Sequence, residues 1–194
     1  MAKAHYVKRA RKDNPVVKAG ESYYWWKFRF GPKLYSKTPP KPSQLTQSPY
    51  LSVIYACQED WEKVDDPTEI NANDWDREGI VSWLGQIRDS MVSVGENLNE
   101  LVAQYEDAAS NMEEYFEGAE RIEQLREAGM ACEETCERID DMCTSIEDSA
   151  GDIETLELPK DGSDEEKTEE FELAIQDIID QIDFEEPNFD FHDI

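Results

Sequence analysis

The longest regular pattern in the chain is a series of apolar side chains at alternating spacings of four and three. Its members are Ile80, Leu84, Ile87, Met91, Val94, Leu98, Leu101, Tyr105, Ala108, Met112 and Tyr115. Five such heptads predict one long helix with a coiled-coil seam. The series crosses Gly85 and Gly95, each of which costs a helix about 1 kcal/mol relative to alanine.

A second apolar series follows, and its register skips between Ile122 and Leu125. Its members are Ala119, Ile122, Leu125, Gly129, Cys132, Cys136, Ile139, Cys143, Ile146, Ala150 and Ile153. The two series predict helices over about 77–116 and 119–157, each roughly 55–60 Å long. The predicted fold class is mainly α, a long antiparallel two-helix coiled coil with a small N-terminal β-hairpin element. Pairing of these helices between two chains, as a homo-oligomer, is the alternative.

The hairpin is predicted from a period-two pattern in "SYYWWKFRFGPKLYSK", residues 22–37. One strand face would carry Tyr24, Trp26, Phe28 and Phe30, and the other Tyr23, Trp25, Lys27 and Arg29. Gly31-Pro32 would form the turn, with Gly31 at positive φ as in a type II′ turn, and "KLYSK" would return as the second strand. Because a lone hairpin is marginal in water, we expect a third strand from residues 16–18 or packing against the following helices.

The remaining segments complete a predicted organisation in four parts. Residues 1–41 form a basic arm and the aromatic hairpin. Residues 42–76 hold a proline-rich linker and an amphipathic helix that Ser48-Pro49 opens and that runs to about residue 64. Residues 77–157 form the acidic helical hairpin. Residues 158–194 hold an acidic linker, a helix and a tail, and the apolar stripe of that helix is Phe171, Ile175, Ile178, Ile179 and Ile182.

Charge is distributed very unevenly along a chain whose net charge is −27. Residues 1–41 hold eleven Lys/Arg against two Asp/Glu, or +9, and the other 153 residues hold eight against 44, or −36. Such asymmetry indicates charged partners, and it is equally consistent with attraction between the two parts of the chain.

The basic hairpin region is a candidate contact patch for nucleic acid. Aromatic rings beside cations offer stacking surfaces together with phosphate contacts. The patch consists of Lys8, Arg9, Arg11, Lys12, Tyr23, Trp25, Lys27 and Arg29. In the alternative interpretation, the rings form a core and the cations dock onto the acidic helices of the same protein.

The acidic helices are a second candidate surface, because residues 77–157 hold 22 Asp/Glu against five Arg. A stiff rod lined with carboxylates imitates the phosphates of nucleic acid and attracts a basic partner. The predicted partner surface is Glu113, Glu114, Glu117, Glu120, Glu123, Glu133, Glu134, Glu137, Asp140 and Asp141.

Catalytic, metal and membrane functions find little support. Cys132, Cys136 and Cys143 share one helical face, but a zinc site normally adds a second ligand pair, so we expect core thiols in a reducing compartment. The two histidines, His5 and His192, lie near the ends of the chain, and no phosphate-binding glycine motif is present. We therefore expect no catalytic residues, metal or cofactor, and no membrane span, since no run of about 18 apolar residues occurs.

The segment "RARKDNPVVKAGESYYWWKFRFGPKLYSKTPPKPSQLTQSPYL" resembles the opening of an uncharacterised protein family of bacteriophages and prophages. Members of that family pair a basic arm, a Tyr/Trp-rich hairpin and an SKTPP-x-PSQLTQS stretch with an acidic helical region. The resemblance covers about the first 50 residues well. It implies phage origin and expression in the host bacterial cytoplasm, and it transfers no catalytic residues.

Together these observations predict a non-enzymatic, phage-encoded interaction protein. Its leading predicted role is inhibition or modulation of a basic host protein that handles nucleic acid or acts in defence, through the nucleic-acid-mimicking acidic helices. Nucleic-acid binding by the basic hairpin is the alternative, as is a structural or assembly role in the virion.

Overall fold

The computed structural model describes residues 1–72, 75–115, 120–157, 159 and 163–191. The described strands are β1 (His5–Val7), β2 (Tyr23–Lys27) and β3 (Lys33–Ser36), and the described α-helices are α1 (Pro49–Trp61), α2 (Arg77–Glu113), α3 (Glu120–Thr155) and α4 (Asp164–Ile179). The chain divides into two compact units, which we call the sheet unit (Met1–Gln58) and the helical unit (Glu59–Ile194). Among the described helices, none has the length and apolar character needed to cross a membrane.

Helices α2 and α3 pair antiparallel within the one chain. At the start of α2, the Arg77 guanidinium donates to the Glu154 carbonyl at 3.2 Å. At the other end of the pair, Arg126 contacts Glu113 at 2.5 Å. This confirms the predicted fold class and places the apolar seam inside a single molecule. Both helices are a few residues shorter than predicted.

The α2 side of the seam follows the predicted heptads over most of its length. Its buried residues are Ile80, Leu84, Ile87, Met91, Val94, Gly95, Leu98, Leu101, Tyr105 and Ala109. The prediction is wrong at the end, because Ala108 is only half-buried and Tyr115 is 73% exposed. A straight helix drifts relative to a strict seven-residue repeat, and this drift moves the seam from position 108 to 109.

The α3 side confirms nine of the predicted seam positions: Ile122, Leu125, Gly129, Cys132, Cys136, Ile139, Cys143, Ile146 and Ile153. Ala150 is half-buried, and Ala119 lies outside the described residues. At Gly129 an added Cβ would lie 3.4 Å from the Tyr105 Cβ, so glycine permits the close approach of the two helices. Gly129 lies inside the continuous helix α3.

A second buried stripe on α3 was missed by the sequence analysis. Ala128, Thr135 and Met142 recur at a spacing of seven and are buried. The chain after α4 covers this stripe: the Thr135 hydroxyl donates to the Asn188 carbonyl at 3.1 Å, and the Glu185 N–H lies 3.3 Å from the Met142 sulfur. We call residues 182–191 the C-terminal strap.

Aromatic side chains anchor the C-terminal strap to the last turn of α1. The rings of Trp61 and Phe184 stack at 5.8 Å with an interplanar angle of 13°, and Phe189 lies 6.4 Å from Trp61. Helix α4 begins with a capping box between Ser163 and Glu166. Its predicted apolar stripe is only partly correct. Ile175 and Ile179 are buried, Phe171 and Ile178 are half-buried, and buried Ile182 lies beyond the helix end.

The sheet is three-stranded and antiparallel, in the order β1-β2-β3. The predicted third strand from residues 16–18 is wrong, because β1 pairs with β2 instead. Residues 16 and 17 lie in a bend where the Asn14 Oδ1 accepts the N–H groups of Val16 and Val17, both at 3.0 Å. A side chain that satisfies these N–H groups competes with strand pairing.

The connection between β2 and β3 also differs from the prediction. Lys27 pairs with Lys33, so the loop contains five residues rather than two. Gly31 does not have positive φ, so no type II′ turn forms there. Phe28 and Phe30 consequently leave the strand, and Phe30 is 91% exposed. By contrast, α1 begins at Pro49 as predicted, with the Ser48 hydroxyl accepting the Leu51 N–H, and it ends at Trp61 rather than near residue 64.

Candidate functional site

One face of the sheet carries a row of aromatic side chains. The register places His5 opposite Trp25 and Trp25 opposite Tyr35, and residues opposite each other in a ladder share a face. Alternation along the strands adds Tyr23, Lys27 and Lys33 to the same face. We call these six residues the aromatic platform.

The rings of the platform contact one another. His5 stacks on Trp25 with a centroid distance of 4.4 Å and an interplanar angle of 14°. Tyr23 and Tyr35 lie 6.0 Å apart, and the Lys33 Nζ lies 4.3 Å from the Trp25 centroid. These contacts hold the rings against one another, with the His5 ring stacked on Trp25 and the Lys33 ammonium also over the Trp25 ring.

The platform rings are accessible to solvent, and on the other face of the sheet only Trp26 is buried, since Tyr6 is 58% exposed and Tyr24 is half-buried. Tyr23, Trp25 and Tyr35 are half-buried and His5 is exposed, whereas Trp26 is only 5% exposed. The aromatic residues of the hairpin therefore divide into a core contribution from Trp26 and an open surface around Trp25. Of the predicted core face, only Trp26 is buried.

A basic cleft of about 480 Å³ lies at the Tyr23 end of the platform. Its lining is Val7, Arg9, Arg11, Lys12, Asp13, Asn14, Tyr23 and Tyr35. Only two carboxylates belong to the sheet unit, and both accept backbone N–H groups: Asp13 from Ala19 at 2.7 Å and Glu21 from Lys18 at 2.9 Å. Within this unit, all of whose residues are described, no ion pair occupies the three cations of the cleft.

The structure brings together six of the eight residues of the predicted basic patch. Arg9, Arg11, Lys12 and Tyr23 line the cleft, and Trp25 and Lys27 belong to the platform. Lys8 does not line the cleft, and Arg29 lies in the loop after β2, with its guanidinium carbon 5.2 Å from the Phe30 centroid.

Three platform residues are absent from the predicted contact patch. Lys33 and Tyr35 alternate in "KLYSK", so their shared face could have been found once the register with β2 was known. His5 gave no such signal, because strand β1 is only three residues long.

The predicted acidic partner surface lies on solvent-exposed positions of α3 and the end of α2. Nine of its ten residues are described, all nine are exposed, and Glu117 lies outside the described residues. Glu113 pairs with Arg126 at 2.5 Å. The other eight form no ion pair with described residues of the helical unit.

The charge density of the helical pair is closer to that of one nucleic-acid strand than to that of a duplex. Helices α2 and α3 together contain 19 Asp/Glu and five Arg, a net charge of −14. Over a length of about 55 Å this gives one net charge per about 4 Å. Duplex DNA carries one charge per about 1.7 Å, and a single strand one per about 3.4 Å.

The cysteines of α3 are core thiols, as predicted. Their sulfur atoms donate to carbonyl groups of α2: Cys132 to Leu98 at 3.4 Å, Cys136 to Gly95 at 3.9 Å and Cys143 to Arg88 at 3.9 Å. Burial and the nearby Asp140 carboxylate raise the pKa of the Cys143 thiol to about 11, whereas a side-chain hydrogen bond with Cys132 lowers the pKa of Cys136. Among the described side chains, no group of three or more His, Cys, Asp or Glu is placed to hold a metal ion.

No known protein family, curated protein or solved structure matches the chain. Function is therefore inferred from the geometry and charge of the platform, the cleft and the acidic helices.

Proposed function

We propose that this protein is a non-enzymatic nucleic-acid-binding protein whose sheet unit binds single-stranded DNA or RNA. The observation that carries the proposal is the half-buried Trp25 ring on an open sheet face, between His5 and Tyr35 and beside cations with no ion pair in the unit. Nucleic-acid binding by the basic hairpin, the alternative predicted from the sequence, is thus our leading proposal, because the contacting rings of the platform adjoin the cations of the cleft.

A single strand fits the platform better than a duplex does. Aromatic side chains stack on the faces of bases, and those faces are free only where the bases are unstacked from a helix. Each base stacked on an aromatic ring contributes about 1–3 kcal/mol, largely independent of sequence. The cations add contacts to the phosphates, which do not depend on sequence either.

The test uses the full chain and short labelled single strands at low salt, with fluorescence anisotropy as the readout. Trp25→Ala is expected to weaken binding about 10- to 100-fold, because one stacking surface is lost. Phe30→Ala is the matched control, since Phe30 belongs to the same unit, is 91% exposed and lies off the platform. Equal binding by wild type and Trp25→Ala, or tighter binding to duplex than to single strand, would falsify the proposal.

The acidic helices support a second candidate function, which is the leading prediction of the sequence analysis. Eight exposed carboxylates of the predicted surface have no cationic partner among the described residues of their unit. We propose that this surface occupies the basic cleft of a host nucleic-acid-handling or defence protein in the bacterial cytoplasm, in the context of phage infection. Its charge density favours a partner whose cleft normally holds a single strand.

This second function is tested by capture of a tagged chain from nuclease-treated bacterial lysate. A basic partner should remain bound without nucleic acid and be released by salt. A triple variant, Glu133→Gln, Glu137→Gln and Asp140→Asn, should retain much less of it. Three matched neutralisations on α4, Glu165→Gln, Glu169→Gln and Glu170→Gln, should have little effect. Retention that is indifferent to salt and to the α3 variant contradicts this candidate.

A further inference from the structure

We infer that the basic cleft recognises the terminal phosphate of a single strand whose bases stack on the aromatic platform. The inference rests on the proposed function of the sheet unit and adds a ligand group to it: a phosphomonoester at a strand end. Three features of the cleft support it, namely its place in the sheet, its charge, and an unsatisfied donor on Asn14.

The cleft lies where the aromatic row ends. Strand β3 stops opposite Tyr24, but the hairpin between β1 and β2 continues past that point. In this extension the Ala10 N–H donates to the Glu21 carbonyl at 2.8 Å, and the Gly20 N–H donates to the Ala10 carbonyl at 2.9 Å. At this end of the sheet β3 is therefore shorter than the β1–β2 hairpin, and the cleft lies in the space beyond the end of β3. Because Tyr23 and Tyr35 belong to both platform and cleft, a strand stacked on the platform would bring its end to the cleft.

The charge of the cleft suits a terminal phosphate better than an internal one. Arg9, Arg11 and Lys12 face one carboxylate, Asp13, which already accepts the Ala19 N–H. An internal phosphodiester carries a single negative charge. A phosphomonoester carries about −1.5 to −2 near neutral pH and offers three strongly accepting oxygens. The additional charge and the additional oxygen both favour binding by the three cations that line the cleft.

Asn14 supplies a donor that has no partner in the free protein. Its Nδ2 is buried without a hydrogen bond in the fully described sheet unit. The orientation of the amide is set from its other side, because Oδ1 accepts from both Val16 and Val17. Buried donors are nearly always satisfied, so an orphan beside a cationic cleft indicates a missing acceptor. A phosphate oxygen is such an acceptor.

The experiment compares three internally labelled strands of one sequence: one with a 5′-phosphate, one with a 3′-phosphate and one with hydroxyl groups at both ends. Binding to the full chain is measured at constant, low salt. At least one phosphorylated strand is expected to bind about tenfold more tightly than the hydroxyl strand, and that strand identifies the end that is recognised.

Variants then locate the effect. Arg9→Gln with Arg11→Gln should abolish the preference for the phosphorylated strand. Asn14→Asp should do the same, because it keeps the Oδ1 acceptor for the two backbone N–H groups, replaces the Nδ2 donor by a carboxylate oxygen and adds a negative charge to the cleft. Arg29→Gln removes one positive charge outside the cleft and should preserve the preference. Circular dichroism establishes that each variant is folded, and the arginine variant tests the inference independently of any effect of Asn14→Asp on folding.

The failure of this inference is distinguishable from the failure of the proposed function. If the three strands bind equally tightly and Trp25→Ala still weakens them, the terminal-phosphate site is overturned and the platform stands. If no strand binds, the proposed function fails and the inference fails with it. A preference that persists in the arginine variant places the phosphate elsewhere and also overturns the inference.

Discussion

The sheet unit and the helical unit use the same residue types in opposite ways. The sheet unit combines eleven Lys/Arg with two acidic residues and leaves aromatic rings on an open face. The helical unit has eight Lys/Arg and 44 acidic residues, buries apolar side chains and thiols in its seam, and exposes carboxylates. In the helical unit the fold is explained by the buried pattern alone, so the outer positions are free to carry charge. In the sheet unit the same strand must serve both core and surface.

The two units also differ in how much core they possess. The buried apolar residues of the sheet unit are Ala10, Val17, Trp26, Ile54 and Cys57. The α2–α3 seam alone buries about four times as many. Because apolar burial is the main favourable term in folding, we expect the helical unit to be the more stable of the two.

The largest expected effect is a truncation within the seam. Leu98→Ala should lower the free energy of unfolding by about 2–5 kcal/mol, because Leu98 is 0% exposed and its removal leaves a cavity between the helices. Met112→Ala is the control: the heptad pattern predicts a seam position there, but Met112 is only half-buried. Urea unfolding followed by circular dichroism measures both. Equal losses would mean that the seam continues to the end of α2 as the heptads predict.

The Leu98 and Met112 contrast shows how far periodicity alone predicts this fold. Helix existence, pairing and most seam residues follow from spacing, because one buried face dominates each long helix. The end of the seam does not follow, since the choice between Ala108 and Ala109 depends on helix drift that accumulates over several turns. The stripe that includes Thr135 was also beyond prediction, because it depends on contact with a strap about 50 residues away.

The sheet unit was less predictable for a different reason. Tyr24, Trp26, Phe28 and Phe30 satisfy a strand alternation, yet only a register with two partners decides where the strand ends. Nothing in the sequence identifies His5–Val7 as the third strand. The cations of the candidate site were found from composition. Their position around one cleft follows from the strand register, because β3 ends before the β1–β2 hairpin does.

A second, smaller effect is a pH dependence of the folding stability that comes from a buried thiol of the seam rather than from the exposed charges. The pKa of the Cys143 thiol is about 11 in the folded protein, above the ordinary thiol value near 8.5. Above about pH 8.5 the unfolded chain loses this proton first, so the contribution of Cys143 to stability is complete below that pH and is lost as the pH rises towards 11. Because one pKa unit corresponds to about 1.4 kcal/mol, the loss should reach about 3 kcal/mol.

The measurement is the urea midpoint between pH 8 and pH 10.5 in wild type and in Cys143→Ala. The variant should show a shallower decline than wild type. Cys136→Ala is the matched control, because the Cys136 pKa is lowered rather than raised, and its removal should not flatten the curve. Identical pH profiles for wild type and Cys143→Ala would show that the thiol is not held protonated by the seam.

Salt should act on the two units in opposite directions. If about three phosphates are contacted, raising the salt from about 50 to 200 mM should weaken single-strand binding by about 10- to 20-fold. The same increase should raise the melting temperature of the helical unit, because its net charge of −36 repels itself and salt screens that repulsion. Anisotropy and thermal circular dichroism report the two effects separately. Binding that strengthens with salt, or a helical unit that melts earlier, contradicts the division of charge between the units.

The smallest expected effect tests whether the carboxylates of the helical unit are structurally engaged. Arg126 and Glu113 form a close pair at 2.5 Å, but their side chains are 54% and 44% exposed. Exposed ion pairs contribute little, so Arg126→Gln should lower the free energy of unfolding by less than about 1 kcal/mol. A double-mutant cycle with Glu113→Gln should give a coupling energy below about 0.5 kcal/mol that disappears at high salt. A coupling above about 2 kcal/mol would mean that the acidic residues form a stabilising network. In that case the contrast with the sheet unit would narrow, because the helical carboxylates would serve the fold and would no longer be free for a basic partner.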